Sequence, residues 1–456
     1  MEQTAVKDLV RASGGRLLSG DPEQLIRHVS IDSREMKGND LFVPLIGEHS
    51  DAHDYLAQAI ENGAAAVFSS RKTEPLPGAA WIQVDDTLKA LQAVGRDYGE
   101  RMGIPVVGVT GSVGKTTTRE MVAAALGARF QVFRTSKNFN SDIGLPVTMT
   151  EMTGEDQLAV LEMGMSDFGE MEVLSSIARP QAAVMTNIGV AHIEQLGSQE
   201  NIFKEKFQIT SHMKPGSALI LNGDDPFLGS VEECGFHRIF YGFGEQNEFR
   251  AEEMEVTSDG TEFTAVHGEE RLRVMLPVMG KHMVMNALAA LAAASVWEIP
   301  MAEAAEALSH FRGFKNRQQI EKIRDFTVID DTYNASPDSM KAAAGVLHEM
   351  EASGRKIAVL ADMLELGENS LRFHYEVGSA LADQAPEILV CIGERAGEIG
   401  RGLSEQGDGH TKIRYFKDNQ TVLEYLKTEI KAGDLVLFKG SNSMHLGELV
   451  TALREA

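Results

Sequence analysis

The 456-residue sequence has only two cysteines, Cys234 and Cys391, far apart in the chain. Two such thiols build neither a disulfide framework nor the paired spacing of a zinc site, and they read as buried free thiols in a reducing compartment. Basic residues are also scarce: 43 Lys and Arg stand against 67 Asp and Glu, a formal net charge of −24. Sequence-independent nucleic-acid binding needs a basic footprint, so that class is excluded, while a local basic site for an anionic ligand is not. No apolar run is long enough to cross a bilayer. The longest, around 283–297, is Ala-rich, is interrupted by Asn286 and Ser295, and reads as a buried helix. The opening residues Met1-Glu2-Gln3-Thr4 lack a basic segment followed by an apolar one, so no secretory signal is expected, and a cytoplasmic protein without membrane insertion is. There is no internal repeat and no low-complexity tract.

What is present is an ordinary globular composition, 43% hydrophobic and 24% charged. This length predicts two to four domains, and the patterning divides the chain in three. Residues 1–101 open with a helix-like segment near 4–13, continue through short strands such as 40–45, and carry a Pro- and Gly-containing loop at 71–80. Residues 102–312 place strand-like runs at 106–110, 158–162, 182–186 and 218–221. Helical patterns fall at 116–126, 286–296 and 302–309. Residues 313–456 repeat the alternation, with strand runs at 327–329, 357–360, 388–392 and 435–438 and a helix near 338–351. Strand–helix alternation predicts parallel sheets covered by helices, hence a three-domain α/β protein with a small N-terminal domain, a central parallel-sheet domain and a Rossmann-like C-terminal domain. Sites in such sheets gather beyond the carboxyl ends of strands.

The most informative stretch is Val109-Thr110-Gly111-Ser112-Val113-Gly114-Lys115-Thr116-Thr117-Thr118. It follows a strand and opens a helix, which is the context of a phosphate loop. Glycines let backbone N–H groups turn toward phosphate oxygens, and the helix N-terminus adds a partial positive charge. Lys115 is placed to reach the β- and γ-phosphates, and the Thr116 hydroxyl to bind Mg²⁺. Val109 stands where the general pattern has its first glycine, so Gly111-x-x-Gly114-Lys115-Thr116-Thr117 is a tighter variant. Nucleotide binding follows; a reaction does not follow from it alone.

Three further candidates come after predicted strands: Glu162 in LAVLEMGMS, His192 in AAVMTNIGVAHIEQLGS, and Lys206 in ENIFKEKFQI. Two strand ends beside a phosphate loop can converge on one Mg²⁺ cluster. Together with GSVGKTT, these segments resemble the Mur ligases in order and spacing. The resemblance implies that Glu162 and His192 hold Mg²⁺ and that Lys206, carbamylated by CO₂, completes the metal site, with Lys204 as the alternative. A carbamate turns a cation into the anionic oxygen ligand that Mg²⁺ prefers. The resemblance further implies adenine contact by Asn286 in GKHMVMNALAA, where Met283 replaces a more usual Asn. Arg317 in FKNRQQIEKI would lie near the phosphates, and Asp331 in VIDDTYNASPDSM near the ribose.

The branch of the family is implied by DDTYNASPDSM, VLADMLELGENS and KGSNSMHLGELV, which look like the ligase that adds D-alanyl-D-alanine to UDP-N-acetylmuramoyl-tripeptide. IDSREMKGNDLFVPLIGEHSDAHDY resembles a uridine-nucleotide module, with Ser33 and Arg34 near the UDP end and Asp51-Ala52-His53 in place of Asp-Gly-His. TSKNFNSDIGLPVT resembles a substrate loop, with Asn138 and Asn140 as contacts and Ser141 where Asn is more frequent. Asn334-Ala335-Ser336-Pro337 fills the neighbourhood where the tripeptide-forming relative recognises its amino acid. The implied reaction passes through an acyl phosphate in a closed, water-excluding site, with ATP and Mg²⁺ required. A monomer is expected. The rivals are the tripeptide-forming relative, a folate-polyglutamate-type ligase, and a nucleotide-dependent switch with no ligase chemistry.

Overall fold

The computed structural model describes residues 1–455 except Gln3, Glu48, Lys137, Ser258 and Lys315. Three large sheets follow one another along the chain, with a two-stranded antiparallel pair, Thr4–Ala5 and Leu25–Ile26, beside the first. The N-terminal sheet has the order Arg16–Ser19, Ala80–Gln83, Ala64–Ser69, Asp40–Phe42, His28–Ser30, parallel except for its first pair.

The central sheet has nine strands. Seven are parallel, with Val106–Thr110 between Leu158–Glu162 and Ala182–Met185. Both faces are covered, as a parallel sheet requires. Val107, Val109, Val160 and Val184 point into one core, rich in alanine, that includes the helix Lys281–Val296. Val106, Ala159, Leu161 and Met185 point into the other, where Met149, Met152, Met163, Met165, Met171 and Met213 gather. The six-stranded C-terminal sheet has a parallel body, with Leu435–Lys439 between Phe326–Asp331 and Lys356–Ala361.

The expectation of a wholly parallel central sheet is corrected at one edge. Gly260–His267 runs antiparallel to Phe249–Thr257, and Glu270–Leu276 antiparallel to it in turn. Glu270–Leu276 alternates exposed and buried positions toward its end, and Gly268 turns the chain at φ 59°. Half-solvated antiparallel strands tolerate that alternation, whereas a strand buried on both faces does not. The C-terminal sheet likewise carries one antiparallel edge strand, Gln319–Ile323. Cys391 is buried, its thiol pushed up to about 12 by burial, but Cys234 is only half-buried, against the expectation of two buried thiols.

The N-terminal domain leans on the central one through its helix Thr87–Met102, which packs on Gly144–Met149. The approach is close enough that a Cβ on Gly95 would lie 2.6 Å from the Pro146 Cβ. Gly95→Val is therefore expected to cost about 1–3 kcal/mol through overpacking, read as a lowered denaturant midpoint. An unchanged midpoint would mean that the contact yields freely.

The C-terminal domain packs against the central domain. Met279 is buried in the C-terminal core, and a Cβ on Gly280 would sit 2.8 Å from Val346 Cγ2. Among the described residues, no helix is long and apolar enough to cross a membrane.

Candidate active site

The phosphate loop leaves the end of Val106–Thr110 and enters the helix Lys115–Leu126. Gly111 lies at φ 146°, and a Cβ there would fall 1.8 Å from Thr186 Oγ1, so only glycine fits. Gly114, at φ 86°, caps the helix in the left-handed region that L side chains disfavour. The next strand end braces the loop. Ser112 N–H donates to the Asn187 carbonyl and Val113 N–H to Asn187 Oδ1, both at 2.9 Å, while Thr186 Oγ1 donates to the Val113 carbonyl at 2.6 Å. Those two amides are therefore engaged. The N–H groups that open the helix, ahead of Thr118 N–H to Gly114 O, are the ones without an intrahelical acceptor. Lys115 Nζ folds back to Gly111 O at 2.8 Å; desolvation lowers its pKa, opposed by the charge of Glu162.

Glu162 ends its strand with both carboxylate oxygens engaged. Oε2 accepts from Thr116 Oγ1 at 2.8 Å and from Arg119 at 3.3 Å, and Oε1 accepts from Asn140 Nδ2 at 2.8 Å. His192 sits at φ 63° on the same wall, its Nδ1 3.1 Å from Glu365 of the C-terminal domain, and burial pulls its pKa down to about 4. Lys206 is fully buried on the helix Gln199–Phe207, and its Nζ has no hydrogen-bond partner. Desolvation first, and the charge of Lys115 second, hold its pKa well below the ordinary lysine range. Lys204, by contrast, is solvated and pairs with Glu200 at 2.7 Å.

A cleft of about 720 Å³ joins the central and C-terminal domains. It is lined by Ser112, Gly114, Lys115, Thr116, Thr117, Asn140, Glu162 and His192 on one side and by Arg317, Asp331, Asn334 and Ala335 on the other. Asn286 also lines it, its Oδ1 accepting from Thr118 Oγ1 at 3.0 Å. Arg317 lies 4.0 Å over the Tyr333 ring with its Nε buried and unpartnered, and desolvation lowers its pKa. Asp331 is held by Lys439 at 2.5 Å. Thr110 and Gly111 support the loop from behind, outside the cleft lining, and buried Lys206 also lies outside it.

Ser33, Arg34 and Asn138 do not line this cleft. Ser33 is buried in the N-terminal domain against Gln58, and exposed Arg34 pairs with Asp32 at 2.7 Å, holding that carboxyl down to about 2. Asn138 is exposed. His53, in the departing Asp51-Ala52-His53, is buried with its Nδ1 2.6 Å from Asp51.

The comparisons with known proteins cover the chain end to end. Three domain families match: the Mur ligase family catalytic domain at residues 25–98, the Mur ligase middle domain at 109–294, and the Mur ligase glutamate ligase domain at 316–442. The UDP-N-acetylmuramoyl-tripeptide--D-alanyl-D-alanine ligase of Bacillus subtilis is 39% identical, with 100% of this chain and 99% of that protein aligned. The chain belongs to the Mur ligase family. The Escherichia coli protein of the same name is 33% identical over 94% of this chain and 93% of that one. A crystal structure of MurF from Acinetobacter baumannii superposes with a TM-score of 0.90 at 31% identity, covering 99% of both chains. The MurF ligase of Thermotoga maritima in complex with ADP gives 0.85 at 28%, covering 95% of this chain and 98% of that one.

Within this Mur ligase, sequence reasoning missed Arg119, Asn187, Glu365 and Lys439. Lys439 had a usable signal, since it ends an apolar strand of a parallel sheet. Arg119 is fully buried between Glu120 and Glu162, which its place on a helix flank does not announce.

Proposed function

We propose that this Mur ligase joins D-alanyl-D-alanine to UDP-N-acetylmuramoyl-tripeptide with ATP, releasing ADP and phosphate, in cytoplasmic peptidoglycan precursor synthesis, as a monomer. The observation that carries the reading is full-length similarity at 39% to a ligase of that name, combined with a phosphate loop facing a second α/β domain across one cleft. In this reading residues 1–101 hold the uridine-nucleotide end through Ser33 and Arg34. Residues 102–312 hold ATP and the substrate loop, with Asn138 and Asn140. Residues 313–456 hold the amine substrate near Asn334 and Ala335.

The γ-phosphoryl group first passes to the substrate carboxylate, giving an acyl phosphate; the dipeptide amine then displaces phosphate. Lys115 offsets the charge that builds on the transferring group, and Arg317 lies across the cleft for the same phosphates. Ser112, Gly114, Thr116 and Thr117 cradle the phosphates, with Thr110 and Gly111 shaping the loop from behind; Asn286 meets the base, and Asp331, held by Lys439, meets the ribose.

The donor set fits Mg²⁺ only with one addition. Among the described residues, no group of three or more His, Cys, Asp or Glu is placed to hold a metal. Thr116, Glu162 and His192 offer one carboxylate and one imidazole, and the buried, unpartnered amine of Lys206 is suited to take up CO₂ and become a second carboxylate. These four would hold Mg²⁺, which supplies further neutralisation of phosphate charge.

The deciding measurement is phosphate release from ATP with UDP-N-acetylmuramoyl-tripeptide, with and without D-alanyl-D-alanine. Release that needs both is the expected result. Release with the dipeptide precursor and a free amino acid would move the enzyme to the tripeptide-forming branch, and hydrolysis indifferent to every acceptor would end the ligase reading.

A further inference from the structure

The incoming nucleophile is a protonated amine at neutral pH, since an α-amino group titrates at about 7.7–8.0. It needs a base to take its proton before the nitrogen can attack, and a carboxylate serves twice, since its charge also receives the ammonium. Five carboxylates line the cleft. Glu162 is bound by Thr116, Arg119 and Asn140. Glu170 accepts from the N–H groups of Ser166 and Asp167. Asp331 is paired with Lys439, and Glu365 with His192. The fifth, Asp338, has neither a hydrogen bond nor an ion pair among the described residues. It stands in the first turn of the helix Pro337–Glu349 of the C-terminal domain and faces the central domain.

Its exposed carboxylate lies over a position that has no side chain. A Cβ on Gly189 would lie 2.6 Å from Asp338 Oδ2 and 3.3 Å from the Cβ of Ser112, so the carboxylate stands over Gly189, the residue that braces Ser112 of the phosphate loop. Gly189 N–H is held by Ser112 Oγ at 2.9 Å.

We propose, resting on the ligase reading above, that Asp338 is the catalytic base that receives the ammonium of the incoming dipeptide. One N–H proton passes to the carboxylate, which becomes neutral. The freed nitrogen lone pair forms the C–N bond at the acyl carbon, and the C–O bond to phosphate breaks. The second proton leaves with phosphate, and Asp338 returns its own to solvent when product departs. Asp338 is exposed on the cleft wall; the crowding around it raises its pKa, Lys341 on the same helix opposes that, and Asp225 of the central domain adds to it.

The test is Asp338→Asn in the full-length enzyme, comparing dipeptide-dependent turnover with transfer to hydroxylamine, a nucleophile already neutral at pH 7. The expected result is a fall of about 100-fold in the ratio of the two, at the lower end for lost general-base catalysis. That deficit should shrink as pH is raised past about 8, where the dipeptide amine frees itself. Gly189→Ala, whose new methyl displaces the carboxylate without removing it, should lower the same ratio by a smaller factor and covers the case in which the Asn variant does not fold. With the wild type active, an unchanged ratio in both variants, or equal losses with both nucleophiles, overturns the assignment of Asp338 alone. A wild type that never uses the dipeptide overturns the ligase reading as well.

Discussion

Lys115→Ala is expected to abolish turnover while leaving the fold intact. The Nζ makes its bonds to carbonyls of its own loop, Gly111 and Ser112, so its loss unties nothing between domains. The loop is braced independently by Thr186 and Asn187. Removing a desolvated amine relieves a burial cost, so the change in stability should stay within about 1 kcal/mol, as for substitutions that break no core contact. Catalysis has no such reserve. A single preorganised donor facing developing charge accounts for on the order of 10²–10³ in rate, and Lys115 contributes a full charge rather than a dipole. Single-turnover acyl-phosphate formation should therefore fall by at least about 10³-fold, beside a thermal melt that overlays the wild type. A normal rate would sink the placement of the phosphates in this loop.

The second large effect is expected at Lys206. Its buried amine has no partner and is held well below the ordinary lysine pKa by burial, a direction that favours the neutral form that adds to CO₂. Removing even a group that only orients a metal ligand costs about 10–100-fold, so Lys206→Ala should lose about 100-fold or more. Acetate or propionate should restore part of that activity by placing a carboxylate in the vacated space. Lys206→Met fills the space with an uncharged chain of similar length, so it should be as inactive, as stable or more so, and refractory to rescue. Full activity in either variant removes Lys206 from the metal site. Rescue of the Met variant would place the added acid elsewhere.

The sequence displayed the parallel framework because its signals are local. A β-branched run ending in glycines gave Val106–Thr110 and the helix after it within a residue, and apolar runs gave Lys356–Ala361, Ile388–Ile392 and Leu435–Lys439 as closely, though the more polar edge strands Gln319–Ile323 and Lys412–Phe416 went unread. The antiparallel edge of the central sheet was less visible because half-exposed strands dilute their apolar content. At the site, Lys204 and Lys206 were separable only by burial. Residues two apart on a helix face different ways, and which way is inward is decided by tertiary packing. The partners that join domains were out of reach altogether. Glu365 beside His192, Asp338 against Gly189 and Gln318 on His282 depend on how the C-terminal domain settles, which no local pattern encodes.

The unlike cores on the two faces of the central sheet divide the mechanical work of the domain. Behind the phosphate loop, the helix Lys115–Leu126 meets the alanine-lined helix Lys281–Val296, small side chains with no rotamers to change, and that backing is stiff. The opposite face is lined with thioethers, and it carries the helix Gln199–Phe207 through Ile202. Unbranched sulfur side chains reshape at little cost. Lys206, proposed above to take up CO₂, therefore rests on the compliant side of the sheet, while the phosphate loop rests on the rigid one.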